Sequence, residues 1–312
     1  MSLDPIRVDL EKVLGVRVHE IAPIPEGHSG FTYFVTAESG RFVLRVPPPG
    51  TRIAGPADVV RQGRIMSALH DAGLPAPAIH RMSTEPVIDG RPFILMERAA
   101  GDRIEKTGQE QRPLDIASNA VAVLKRLQSL PLERTGIGDE PAVTLQTELM
   151  RWTMLMQRAP EDLTIRAAEL AGLLSVQLPV ERQPTLVHGD YHYGNMLFKG
   201  AQVAAVLDWE IAEIGQPLLD LGCLCIVAIR RQYQGAPNPG GAIDVSMPEL
   251  FDLYGVSAEE MRWYAALSLY KYASIFGYNL MLHRRGKRPD PMYESLTTTI
   301  TGMIDEGIQL LA

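Results

Sequence analysis

The densest run of reactive side chains in this 312-residue chain is His188-Gly189-Asp190-Tyr191-His192-Tyr193-Gly194-Asn195, and Asp208-Trp209-Glu210 follows it closely. Phosphoryl transfer from a nucleotide needs a carboxylate that orients the attacking hydroxyl and accepts its proton. It also needs oxygen ligands that hold Mg2+ against the phosphates, because positioning and charge neutralisation supply nearly all of the catalysis. Asp190, Asn195 and Asp208 together carry the groups for both tasks. A second reading takes His188, Asp190, His192 and Asp208 as ligands of a transition metal in a hydrolase. That reading leaves Asn195 without a task, and a hard Mg2+ site prefers oxygen ligands.

Short elements must position these residues. Residues 185–188 and 203–207 are apolar runs bounded by turn residues, and Lys199-Gly200 joins the two halves of an expected hairpin, so Asp208 follows directly on a strand. Upstream, Phe31–Ala37 and 41–46 flank Ser39-Gly40, and a later pair of strands is separated by Asp89-Gly90, a favoured hairpin turn. A helix over 58–72 interrupts them, with Val59, Ile65, Met66 and Leu69 as its apolar stripe and Gly73 as its stop. The first hundred residues therefore read β-β-α-β-β. Beyond Gly101, residues 115–130, Leu145–Met156, 162–176, 248–253, 257–282 and 291–311 carry helical periodicity, whereas 232–248, rich in Gly and Pro, reads as a loop.

Length and a hydrophobic content of 46% allow a sizeable core in one large or two ordinary domains. A net charge of −7 argues against nucleic acid as a partner. Cys223 and Cys225 lie two apart in an apolar helical stretch, so they cannot bridge each other and read as buried thiols of a reducing compartment. The N-terminus lacks the apolar core of a secretory signal, and the most apolar run, 218–229, is broken by Asp220 and too short to span a bilayer. A cytoplasmic protein without membrane contact is expected. Oligomeric state stays open.

The motifs resemble the aminoglycoside-phosphotransferase family, distant relatives of protein kinases, whose catalytic loop reads His-Gly-Asp, four residues, Asn, and whose metal-binding strand ends in Asp. The resemblance runs along nearly the whole chain. It implies an α+β, two-lobed, protein-kinase-like fold: an antiparallel β-sheet lobe with one main helix over 1–100, a hinge near 96–101, and a mainly helical lobe over 101–312 holding the catalytic loop and substrate site. Asp190 is then the catalytic base, Asn195 and Asp208 the Mg2+ ligands, and His188 and Asp220 supports of the loop. Residues 93–101 resemble the hinge, where the backbone at Glu97 and Ala99 would meet an adenine edge. Residues 27–33 resemble the phosphate-covering loop, with Ser29 as a donor. Glu210 reads either as a metal ligand through water or as a surface carboxylate at a strand end.

Asp208-Trp209-Glu210, residues 217–222 and Phe42-Val43-Leu44-Arg45 bring the chain nearest to a subgroup related to kinase-like domains fused to acyl-CoA dehydrogenases. Where the family has Lys on the third strand and Glu on the following helix, this chain has Arg45 and Gln62. Arginine still grips phosphate, with different geometry. The implied reaction moves the γ-phosphate of ATP or GTP to a hydroxyl of a small molecule; nucleotide binding without catalysis is the alternative that Arg45 and Gln62 raise.

Overall fold

The computed structural model describes residues 3–24, 31–230 and 243–312. Its N-terminal part is a five-stranded antiparallel sheet of β1 (Val18–Pro23), β2 (Phe31–Ala37), β3 (Gly40–Val46), β4 (Ile79–Ile88) and β5 (Arg91–Glu97), in the order β1-β2-β3-β5-β4. Side-chain alternation divides labour between its faces. Tyr33, Val35, Phe42, Leu44, Val46, Phe93 and Leu95 point into a core closed by Ile6 and Leu10 of helix α1 (Asp4–Leu14). Thr32, Phe34, Val43 and Arg45 point the other way, into a cleft. Helix α2 (Val59–Asp71), started by an Asp58 side chain that accepts the Arg61 amide at 2.9 Å, packs Ile65, Met66 and Leu69 with Ile94 and the core of the second part.

Both α1 and β1 depart from the β-β-α-β-β order expected for this region. Helix α1 buries only Ile6 and Leu10, and β1 is an edge strand whose register shifts between Val18 and Glu20, so neither carries a strong periodic signal.

After β5 the chain becomes mainly helical: α3 (Ile104–Glu110), α4 (Pro113–Gln128), α5 (Leu145–Met156), α6 (Ala167–Val176), α7 (Leu218–Arg230), α8 (Met247–Tyr254), α9 (Ala258–Arg284) and α10 (Thr297–Leu311). Helices α8 and α9 each begin with a reciprocal capping box, Ser246 with Glu249 and Ser257 with Glu260. Helix α9 is buried nearly all round, so its polar residues Lys271 and Tyr272 end up inside the protein. No helix among the described residues is long and apolar enough to cross a membrane. Cys223 and Cys225 are free and buried.

Two small antiparallel pairs interrupt the helices. Strand β6 (Thr185–Val187) pairs with β9 (Glu213–Gly215), and β7 (Met196–Lys199) forms a hairpin with β8 (Gln202–Val206). The hairpin is tied to the N-terminal part by the Val206 amide on the Pro75 carbonyl at 2.7 Å. Reciprocal amide bonds between Asp102 and Phe198, 2.7 and 2.8 Å long, tie it to the segment after β5.

Candidate active site

The hairpin register decides which side chains meet. Met196 faces Val206, and the Leu207 amide donates to the Asn195 carbonyl at 2.8 Å, so Asn195 and Asp208 emerge side by side although thirteen positions apart. Asp208 adopts the left-handed backbone region, φ 64° and ψ 59°, a conformation uncommon outside glycine but tolerated by Asp. Both residues line a cleft of about 460 Å³ between the sheet and the helical part, as do Arg45, Gln62, Glu97 and Ala99. Ser29 lies outside the described residues, as does most of the expected loop over 232–248.

Asp190 joins this group through Asn195, whose Nδ2 donates to the Asp190 carbonyl at 3.0 Å and to its Oδ2 at 2.9 Å. Oδ1 of Asp190 accepts the Tyr272 hydroxyl, and His192 Nε2 lies 3.4 Å from Oδ2. Burial by itself would raise the Asp190 carboxyl; His192, Lys271 and Tyr272 outweigh it and hold the group well below the usual carboxylate range. The side chain is thus an anion with its oxygens aimed by three neighbours.

The main chain before Asp190 is held from beneath. Asp220 on α7 accepts the His188 amide at 2.8 Å and the Gly189 amide at 2.9 Å, one on each oxygen. Its own carboxyl is pushed up to about 7 by burial, against the opposing pull of the two amides and Lys271. Gly189 has φ 82°, and a Cβ there would meet the Ile211 carbonyl oxygen at 2.7 Å, so this position needs glycine on two counts. Lys271 is buried, donates to the Gly189 carbonyl and lies 5.0 Å from the centre of the Trp152 ring. Neither Lys271 nor Tyr272 stood out in the sequence, where they sit in an apolar helical pattern 82 positions from Gly189 and Asp190.

His188 is buried and fully engaged: Nε2 bonds the Leu207 carbonyl at 2.8 Å, and Nδ1 accepts the Asp190 amide at 3.2 Å. That pattern places the proton on Nε2. Burial lowers its pKa to about 4, so the ring is neutral. His192 is committed too, with Nδ1 accepting the Gly194 amide at 3.1 Å. With both His188 nitrogens spent and His192 Nε2 turned toward Asp190, the hydrolase reading loses His188 as a ligand, and no group of three or more His, Cys, Asp or Glu among the described residues is disposed to hold a metal.

The donor set does fit a hard cation held jointly with phosphate. Mg2+ takes one or two protein oxygens and completes its shell with phosphate and water. Asp208 offers a cleft-facing carboxylate, and the commitment of Asn195 Nδ2 to Asp190 leaves the amide oxygen as its remaining ligand atom. Arg45 reaches into the same place: Nη1 lies 3.0 Å from Asp208 Oδ1 and Nη2 lies 2.5 Å from Glu210 Oε2. Glu210 is therefore the partner of a cation rather than a solvated strand-end carboxylate. At the hinge, the Glu97 amide is already spent on the Ala78 carbonyl at 2.9 Å, so a ligand edge can meet only the carbonyl of that residue.

The chain is similar to proteins already known. The chain is 32% identical over 216 residues to acyl-CoA dehydrogenase family member 10 of Mus musculus, a match covering 66% of this chain and 20% of that protein. The match thus spans about a fifth of that relative's length. A crystal structure from Ralstonia eutropha, provisionally assigned as an aminoglycoside phosphotransferase, superposes with a TM-score of 0.79 at 19% identity, covering 99% of this chain and 98% of that one. A thermostable mutant of aminoglycoside phosphotransferase APH(4)-Ia, in a ternary complex with AMP-PNP and hygromycin B, superposes with a TM-score of 0.66 at 15% identity and 98% coverage of both chains. At such identities the structures establish a shared two-lobed, kinase-like α+β fold. Because residues 20–254 match its profile, well over half of the sequence, the chain belongs to the phosphotransferase enzyme family.

Proposed function

We propose that this small-molecule kinase transfers the γ-phosphoryl group of ATP or GTP to a hydroxyl of its acceptor, with Asp190 as the base. The observation that carries the reading is the meeting, at one cleft, of Asn195 and Asp208 through the hairpin register, with the Asp190 carboxylate hydrogen-bonded to Asn195. Residues 1–100 hold the nucleotide, with the Glu97 carbonyl and the Ala99 amide at its base edge and Arg45 near its phosphates. Residues 101–312 supply the catalytic loop and the acceptor site, and 96–101 act as the hinge. The AMP-PNP and hygromycin B bound by APH(4)-Ia support a nucleotide and a small hydroxylated molecule as the two substrates.

Asn195 and Asp208 would hold Mg2+, which supplies neutralisation of phosphate charge. Asp190 orients the acceptor hydroxyl and takes its proton as the oxygen forms its bond to the γ-phosphorus. The bond from that phosphorus to the bridging oxygen breaks in line, and the nucleoside diphosphate leaves with the electron pair. Tyr272 and Asn195 keep the carboxylate aimed throughout, and Asp220 and Lys271 fix the main chain that carries it. No phospho-enzyme forms, since the base presents itself to the acceptor rather than to phosphorus.

The test is a nucleoside-diphosphate release screen over a library of hydroxylated small molecules with Mg2+, comparing the wild-type chain with Asp190→Asn. Acceptor-dependent release by the wild type should fall by roughly 10²-fold or more in the variant, with nucleotide affinity retained. Full turnover in Asp190→Asn would remove Asp190 from the chemistry.

A further inference from the structure

In protein kinases the third-strand cation is held by a glutamate of the helix that follows it. Here that cation is Arg45 and the helix residue is Gln62, a neutral side chain with no charge to offer. Gln62 is 1% exposed, its Nε2 donates to the Pro56 carbonyl at 2.9 Å, and its Oε1 has no hydrogen-bond partner among the described residues. Arg45 instead crosses the cleft to the segment after β8, where it meets two carboxylates two positions apart, Glu210 at 2.5 Å and Asp208 at 3.0 Å. The two contacts differ in setting. The Arg45 and Glu210 side chains are 11% and 18% exposed, whereas Asp208 is 40% exposed and lines the cleft.

Resting on the phosphotransferase reading above, we propose that Glu210 is the positioning residue for Arg45, doing from the segment after β8 what the helix glutamate does in protein kinases, so that Arg45 can exchange Asp208 for nucleotide phosphate. A guanidinium has five donors on a rigid fork, so one edge stays on Glu210 while the other changes partner. A lysine ammonium, a single point of charge on a flexible stem, is less suited to that division. Three differences from the kinase pattern then form one device: arginine for lysine on the strand, glutamine for glutamate on the helix, and a glutamate two positions after the metal-site aspartate. Without Glu210 the guanidinium would fall more heavily on Asp208, the carboxylate that Mg2+ needs, and nucleotide binding would have to work against that contact.

The experiment is calorimetric titration with Mg2+ and whichever of AMP-PNP and GMP-PNP the wild-type chain binds more tightly. It covers Glu210→Gln, Arg45→Met, the double variant, and Glu210→Gln combined with Gln62→Glu. Glu210→Gln should weaken binding roughly tenfold in the wild-type background and less than about twofold in the Arg45→Met background, because its effect passes through Arg45. Gln62→Glu should restore part of the loss by giving Arg45 a carboxylate from the helix. Unfolding midpoints establish that each variant folds. Should Glu210→Gln fail that check, Glu210→Asp, which keeps the charge and shortens the reach, is read in the same two backgrounds. Wild-type affinity in Glu210→Gln, or losses that multiply fully in the double variant, would overturn the assignment while leaving the functional reading standing. A wild-type chain that binds neither analogue overturns both.

Discussion

Asp220→Ala removes the carboxylate beneath the main chain that leads to Asp190 and strands two amides, those of His188 and Gly189. A buried donor left unpaired costs about 1–3 kcal/mol, which for two gives about 2–6 kcal/mol, with the lower half favoured because Gly189 is only partly buried and water can reach it. The carboxyl has its own penalty, which depends on pH. Its pKa rises on folding from 3.8 to about 7, chiefly through burial. The folded state therefore keeps a proton that the unfolded chain releases, and wild-type stability falls as pH rises from about 4 to about 7, by on the order of 4 kcal/mol. The alanine variant has no such dependence. Urea unfolding of both proteins at pH 5 and pH 8 should show most of that loss of about 2–6 kcal/mol at pH 5 and a much smaller gap at pH 8. His188 and Glu213, which also titrate abnormally, contribute equally to both proteins and cancel in the difference. Equal stability at pH 5, or a gap that widens at pH 8, would refute the account of Asp220 as a buried acceptor of two amides.

Gly189→Ala should destabilise the fold by at least about 1–2 kcal/mol, seen as a lower urea midpoint, because φ 82° disfavours a side chain and the new Cβ would press on the Ile211 carbonyl. His188→Gln should flatten the acid limb of stability. The wild-type ring, with its pKa lowered to about 4 by burial, stays neutral in the fold while the unfolded chain takes up a proton below pH 6.5. Stability is thus lost as pH falls from 6.5 toward 4, by on the order of 3 kcal/mol, and unfolding at pH 6.5 and 4.5 measures it. Tyr272→Phe removes a hydrogen bond to an ionised carboxylate, worth about 1.5–3 kcal/mol, so turnover should fall roughly 10- to 100-fold. Nucleotide affinity, measured by calorimetry, should stay within about twofold, since Tyr272 does not line the cleft.

What the sequence determined by itself is what short-range physics controls. Strand alternation around Asp89-Gly90, the helix that begins after Asp58, and the hairpin between Asn195 and Asp208 are all set by residues within a few positions of one another. The hairpin matters most, because its register alone brings Asn195 and Asp208 together before any distant contact is known. Helix α1 and strand β1 escaped notice because two buried residues and an edge strand with a register shift leave too faint a pattern. Only the tertiary structure decided the partners of the reactive groups. The clasp of Arg45 on Asp208 and Glu210 joins residues more than 160 positions apart, and Tyr272 and Lys271 reach Asp190 and Gly189 from 82 positions away. A lysine or tyrosine in an apolar helix carries no local mark of which carbonyl or carboxylate it will meet. That meeting is fixed by how the buried helix α9 is turned against α5, α7 and α10, and the turn follows from packing the whole core.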